Sequence, residues 1–128
     1  MTPGPPRLFA VIETPAFSVL VSGYERKEHS KLRADIAWLT DKLRVSPEVM
    51  GDRPPGLQEL ALPIYKARCK DSCHRVGQRA GWRIFYAVNK DALKVLLLFL
   101  YHKGECENPG TEFLIQKLEK AFGLGTQP

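Results

Sequence analysis

Three closely spaced runs of strand character, residues 64–69, 82–88 and 93–101, constrain this chain more than any other feature. The first, IYKARC, alternates, so Lys66 and Arg68 project from one face. The second, WRIFYAV, is aromatic and β-branched and sets Arg83 among Trp82, Ile84 and Phe85. The third, LKVLLLFLY, is apolar on both faces, as a central strand covered from both sides would be. A polar loop at 69–80 containing Gly77 joins the first two, and a turn at 89–92 joins the last two. Three successive antiparallel strands are therefore expected.

Those strands also carry the charge imbalance. Between residues 64 and 103, nine Lys and Arg oppose only Asp71 and Asp91, a net of +7 in a chain of +5, which leaves −2 for everything else. The basic character is local. A short basic sheet is a ready surface for a polyanion, because clustered cations draw in phosphates and gain from counterion release. An acidic protein partner would be attracted equally well, and composition does not choose between the two.

The rest of the chain supplies helices. Residues 1–6 are rich in Pro and Gly and are expected to form a disordered tail. RLFAVIE at 7–13 reads as a strand, and Thr14-Pro15 as an N-cap with proline at the first helical position. Phe17, Leu20, Val21 and Tyr24 follow at helical spacing until Ser22-Gly23 interrupts them. From 25 to 44 a second helix is predicted, with Leu32, Ile36, Leu39 and Leu43 as its stripe and Arg33, Asp35, Asp41 and Lys42 outside it. Ser46-Pro47-Glu48 starts another turn, and Gly51 with Pro54-Pro55-Gly56 marks an exposed loop. Asn108-Pro109 resembles an N-cap for a terminal helix carrying Phe113, Ile115, Leu118 and Phe122, with Gly123 as its stop. The order is α+β: a small antiparallel sheet with an N-terminal strand, two N-terminal helices packed on it and a C-terminal helix. At 128 residues, this fits one domain over 7–123 followed by a tail at 124–128.

No run reaches the roughly 18 apolar residues that a membrane span needs, so no membrane partner is expected. MTPGPPRLF lacks the layout of a secretory signal, and three cysteines, an odd number, argue against a disulfide framework. A reducing cytoplasm is the simplest setting. Cys69, Cys73, His74, His102 and Cys106 are the residues to weigh as metal ligands. Their C-x3-C-H spacing is not a paired zinc knuckle, so neither metal nor cofactor is expected.

In three pieces the chain resembles the RelE/ParE superfamily of bacterial type II toxins, on the side of the RelE and HigB-like mRNA endonucleases. GLQELALPIYKARC is similar to the family's "GLRKLR" strand entry. GQRAGWRIFYAV is similar to its Gly-(aromatic)-Arg-aliphatic-x-Tyr strand. VLLLFLYHKGECENPGTEF is similar to its apolar strand that ends in a basic residue before the last helix. In layout the resemblance covers residues 7–123, and in motif detail 56–115. It implies a cytoplasmic toxin that cuts mRNA on the ribosome by attack of a 2′-hydroxyl on the adjacent phosphate. Lys66, Arg68, Arg83 and Lys103 then match the family's basic residues, with His102 an alternative at the last position. The family often places a tyrosine or histidine late in the chain. Here neither follows His102, so the general base and acid are not assigned. The loop at 69–80 is longer than in compact members, which leaves Arg75 and Arg79 without a firm counterpart.

The residue types suit that chemistry. Arginine's planar fork holds two phosphate oxygens, and a lysine crowded by Arg68 and Arg83 loses its proton more easily. His74 and His102 are candidates for catalysis ahead of metal binding, because histidine as a residue type can exchange a proton under physiological conditions. Arg83, set among apolar residues, needs a partner, for which Asp71 or a phosphate would serve. Without the resemblance, Lys66 and Arg68 read as a solvated strand face. Lys70, Arg75 and Arg79 would add phosphate contacts. Of Tyr65, Trp82, Tyr86 and Tyr101, the first and last are the candidates for stacking on bases. The implied partners are mRNA on the ribosome and a cognate antitoxin, helical or DNA-binding, with an acidic amphipathic segment. The toxin itself would be a monomer or bound to that antitoxin. Two alternatives share the fold: a non-enzymatic, ParE-like inhibitor of DNA gyrase, and an inactive member that only binds an antitoxin.

Overall fold

The computed structural model describes residues 8–26, 30–57, 62–72, 81–104 and 109–126. In chain order its elements are β1 (Ala10–Glu13), α1 (Pro15–Glu25), α2 (Leu32–Val45), α3 (Pro47–Met50), β2 (Gly51–Asp52), β3 (Ile64–Cys69), β4 (Trp82–Asn89), β5 (Lys94–His102) and α4 (Thr111–Thr126). The architecture is α+β, with one five-stranded sheet in the order β1-β5-β4-β3-β2. β3, β4 and β5 are the expected antiparallel neighbours.

The sheet is mixed, not purely antiparallel, because β1 runs parallel to β5 with Ala10 opposite Lys94 and Glu13 opposite Leu97. An apolar run carries no mark of its direction. A parallel pair needs only a long connection between its strands, and all the intervening elements supply one. Thr14 fixes the exit from β1. Its backbone N–H and its hydroxyl both donate to the Leu97 carbonyl, at 3.1 and 2.8 Å, and its Oγ1 accepts from Phe17 N at 3.3 Å. One side chain therefore caps α1 and pins it to the sheet.

Each sheet face has its own core. On the first face, α2 lays Leu32, Ile36, Leu39 and Leu43 over Tyr65, Ala67, Trp82, Ile84, Tyr86 and Leu97, joined by Phe17 and Val21 of α1. On the second, α4 brings Leu114, Leu118 and Ala121 against Ile64, Phe85, Ala87, Leu98 and Phe99. β4 lies between them and is buried from Trp82 to Val88. β5 contains a register shift opposite Phe85 and Tyr86, where Phe85 pairs with Phe99 but Tyr86 with Leu97. The extra residue, Leu98, joins Phe99 in the second core, so two consecutive side chains serve one face.

Several sequence expectations need correction. α1 runs through Ser22-Gly23 to Glu25, so the second helix starts at Leu32, not at 25. Burial of Phe17 and Val21 outweighs one helical glycine. Asp35 is inside, at 2% exposure. Leu93 has φ 53° and belongs to the β4–β5 turn, where Asn89 Oδ1 accepts from Ala92 N. α4 begins at Thr111 and continues past Gly123. Its buried stripe is Leu114, Leu118 and Ala121, while Phe113 is 47% exposed.

The glycines give a direct test of this packing. A Cβ on Gly23 would meet nothing within 4 Å, whereas one on Gly81 would lie 2.3 Å from the Cys69 carbonyl oxygen. Gly23→Ala is expected to stabilise by about 0.5–1 kcal/mol through helix propensity. Gly81→Ala is expected to destabilise by about 3 kcal/mol, since backbone on both sides resists the shift. Urea unfolding of the two variants checks the signs.

Candidate nucleic-acid interface

The register of β3, β4 and β5 stacks side chains into rows across the second face. One row is Arg68–Arg83–Tyr101, the next Lys66–Phe85–Phe99, and the next Ile64–Ala87–Leu96. α4 covers the apolar part of this face. At the β3 side of this face Lys66 is half-buried and Arg68 exposed, while Arg83 and Tyr101 in the Arg68 row are buried. Lys103, immediately after β5, is held by its backbone N–H on the Gly81 carbonyl at 3.0 Å and acts electrostatically on Lys66. Lys66, Arg68, Arg83, Lys103 and Tyr101 are thus brought together on one face.

The electrostatics of this cluster are unfavourable. Arg68 and Arg83 are register partners, and like charges directly opposite in a sheet repel. Arg83 is only 4% exposed, and its guanidinium is pushed below the usual arginine range by burial first and by Arg68 second, with Tyr101 acting the other way. Its Nη1 donates to the Trp82 carbonyl at 3.3 Å. The Lys66 ammonium is lowered from its ordinary value by burial, then by Arg83 and Arg68 and, more weakly, by Lys103. Asp52, the register partner of Lys66 on β2, opposes that shift. Among the described residues, no acidic side chain forms an ion pair with Lys66, Arg68 or Lys103. A bound phosphate would counter the repulsion at Lys66, Arg68 and Lys103.

Three sequence candidates fall elsewhere. Tyr65 alternates with Lys66 and faces α2. It is 8% exposed and stacks on Tyr86 at 5.6 Å, with Arg53 over its ring at 5.3 Å. Its hydroxyl donates to Glu48 Oε2 at 3.4 Å. Tyr65 is therefore core, not a free stacking platform. Lys70 places its ammonium 5.3 Å from the centre of the Trp38 ring on α2. His102 pairs with Trp82 across the ladder and stands edge-on to that indole at 4.9 Å, on the face opposite Arg83. Its Nε2 meets Asp71 Oδ2 at 2.8 Å, and its Nδ1 accepts from Gly104 N at 3.0 Å. An acceptor at Nδ1 places the ring proton on Nε2, so Asp71 holds the donor side of this histidine. Arg75 and Arg79 lie outside the described residues, as do Cys73, His74 and Cys106.

Sequence reasoning missed the groups that hold the site in place. Asp35 accepts from both the backbone N–H and the hydroxyl of Ser72, and its own carbonyl accepts from Cys69 Sγ at 3.3 Å. These bonds tie the end of β3 to α2, and Asp35 in the first turn complements the helix dipole. Cys69 is fully buried, and burial followed by Asp35 pushes its thiol up to about 12, a value for an inert sulfur. Tyr86 donates to the Pro47 carbonyl, and burial raises its phenol. A Cβ on Gly51 would stand 2.6 Å from that hydroxyl, so this tyrosine selects the glycine. Among the described residues, no cluster of three or more His, Cys, Asp and Glu is placed to hold a metal. Likewise no described helix is long and apolar enough to cross a membrane. A scan of protein-family models finds no match for this chain, and no curated protein matches it either.

Proposed function

We propose that this protein is a cytoplasmic type II toxin that cleaves mRNA on the ribosome, with the Arg68–Arg83 row as its phosphate-binding centre. The observation that supports this best is the like-charged register pair, with a nearly buried Arg83 and Lys66 and Lys103 beside it. Lys66, Arg68 and Lys103 have no acidic ion-pair partner among the described residues, so crowding them costs stability, and a ligand that carries negative charge gives it a purpose. The order of the RelE-like sequence pieces narrows that ligand to RNA.

In the proposed reaction the 2′-oxygen attacks the adjacent phosphorus and the P–O5′ bond breaks. The products are a 2′,3′-cyclic phosphate and a 5′-hydroxyl. Arg83 and Arg68 neutralise the charge that builds on the phosphate oxygens. Lys66, with its lowered pKa, takes the 2′-hydroxyl proton, and Lys103, which acts electrostatically on Lys66, returns one to the leaving oxygen. Incubating the protein with translating ribosomes and mRNA tests the reading through the termini formed. The rate is expected to rise with pH toward an inflection below 10.5, because an unprotonated Lys66 is the active form, and Lys66→Arg is expected to remove that inflection. Intact mRNA together with inhibited DNA gyrase would instead select the ParE-like alternative.

The basic window also implies how the toxin is held silent. An antitoxin with an acidic amphipathic segment would gain long-range attraction and order as it wraps Lys66, Arg68 and Arg83, or displace α4 by replacing its apolar stripe. Its association is expected to slow as salt is added. A rate indifferent to ionic strength would remove this part of the reading.

A further inference from the structure

Beside the cation row lies an aromatic pocket that the proposed chemistry leaves unused. It has a volume of about 300 Å3, and Leu20, Tyr24, Phe99, Tyr101, Phe113 and Lys117 are among the residues that line it. β1 pairs with β5 only from Lys94 to Leu97, so the later half of β5 faces α1 and α4 across this space. Its aromatic surface is continuous. Phe99 is 6.3 Å from Tyr101 and 6.1 Å from Phe113, the latter edge-on at 72°. Phe113 is 47% exposed, a large cost in apolar surface for a residue one position away from the buried α4 stripe. Among the described lining residues the one charge is Lys117, whose ammonium stands 5.5 Å from the Phe113 ring centre.

The pocket and the phosphate centre share a residue. Tyr101 lines the pocket and is also the register partner of Arg83, with which it interacts electrostatically. A nucleotide whose phosphate sits on Arg68 and Arg83 therefore has its neighbouring base beside this opening. We infer that the pocket receives one unstacked base of single-stranded RNA, next to the phosphate bound by the arginines. This deepens the endonuclease reading and rests on it. The lining is apolar and aromatic with a cation at the rim, which matches a π-face attached to a negatively charged backbone. Four aromatic rings, Tyr24, Phe99, Tyr101 and Phe113, stand among its described lining residues, so the pocket favours large stacking surfaces, purines over pyrimidines.

The test uses the full chain and short single-stranded RNAs that carry a non-cleavable 2′-deoxy linkage. At the position beside that linkage they bear a fluorescent adenine analogue, an ordinary base or no base. Stacking in the pocket is expected to quench the analogue. The abasic strand is expected to bind roughly five- to one-hundred-fold more weakly than the purine strand, the span that one base–aromatic stack provides. Phe113→Ala is expected to remove both effects while leaving the slope of affinity against salt unchanged, because it neutralises no phosphate. Phe113→Tyr is expected to restore them. Since Phe113 is half exposed, the variant is expected to fold, and its far-ultraviolet spectrum checks this. Equal affinity for purine and abasic strands, with normal salt dependence, would overturn the base pocket and leave the phosphate centre standing. Absence of any salt-dependent binding, to these strands alone or to the same strands loaded on ribosomes, would overturn both. Loss of a dimer in Phe113→Ala without change in RNA affinity would assign the groove to a second copy of the chain and overturn the proposal.

Discussion

Arg83→Ala is expected to abolish growth arrest on expression and to lower the cleavage rate by about 100- to 1,000-fold, the usual effect of removing one preorganised charge-stabilising donor. The size follows from its placement. Arg83 is buried in the middle strand, fixed by its backbone ladder and by its bond to the Trp82 carbonyl, so little reorganisation is needed when a phosphate arrives. Loss of activity must be separated from loss of fold. Truncation removes the packing of the arginine stem but also the repulsion from Arg68, and the two effects oppose each other. Arg83→Gln keeps most of the stem and loses only the charge, so it is expected to melt near the wild-type temperature and to be equally inactive. Toxicity retained in either folded variant would sink the assignment of Arg83.

Reversing the charges of Lys66 and Arg68 together gives the second large effect. Lys66→Glu with Arg68→Glu is expected to weaken RNA binding strongly and to reduce the slope of log affinity against log salt by about two, one for each phosphate no longer neutralised. The same change places a carboxylate directly across the ladder from Arg83, a gain of about 0.2–1 kcal/mol, and sets another against Asp52, the register partner of Lys66, a cost of similar size, so stability is expected to stay near that of the wild type. Lower affinity at unchanged stability separates lost binding from general misfolding. The matched control reverses Arg33 and Lys42 on α2. There Arg33 bridges Glu13 and Glu25, and Lys42 stands 5.9 Å from the Trp38 ring centre, away from the cation row. Equal losses of RNA affinity from that control would show that the surface lies on the helix instead.

Much of the framework was legible in the residues themselves. The bounds of β3 and β4 follow from their composition, because β-branched and aromatic residues between turn formers have little other use. The α2 stripe of Leu32, Ile36, Leu39 and Leu43 is buried as its 3.6-residue period demands. Alternation along β3 is enough to put Lys66 and Arg68 on one face and Tyr65 on the other.

Other features were not legible. β5 is apolar on both sides, so no alternation shows which of its residues share a face with Arg83, and the extra residue at Leu98 changes that parity midway. His102 and Tyr101 alternate as strand neighbours do, but which of the two shares a face with Arg83 was set by register alone. Asp35 resembles any polar residue beside a helix stripe until Ser72 arrives from β3 to satisfy it. The aromatic pocket is assembled from α1, β5 and α4, with Phe113 left outside the stripe that its own helix buries. A sequence by itself determines local period and charge, since both depend on near neighbours along the chain. Which cations face one another, and which carboxylate reaches which histidine, was decided by strand register and helix docking, because those contacts join residues that are distant in sequence and are set by the packing of the whole core.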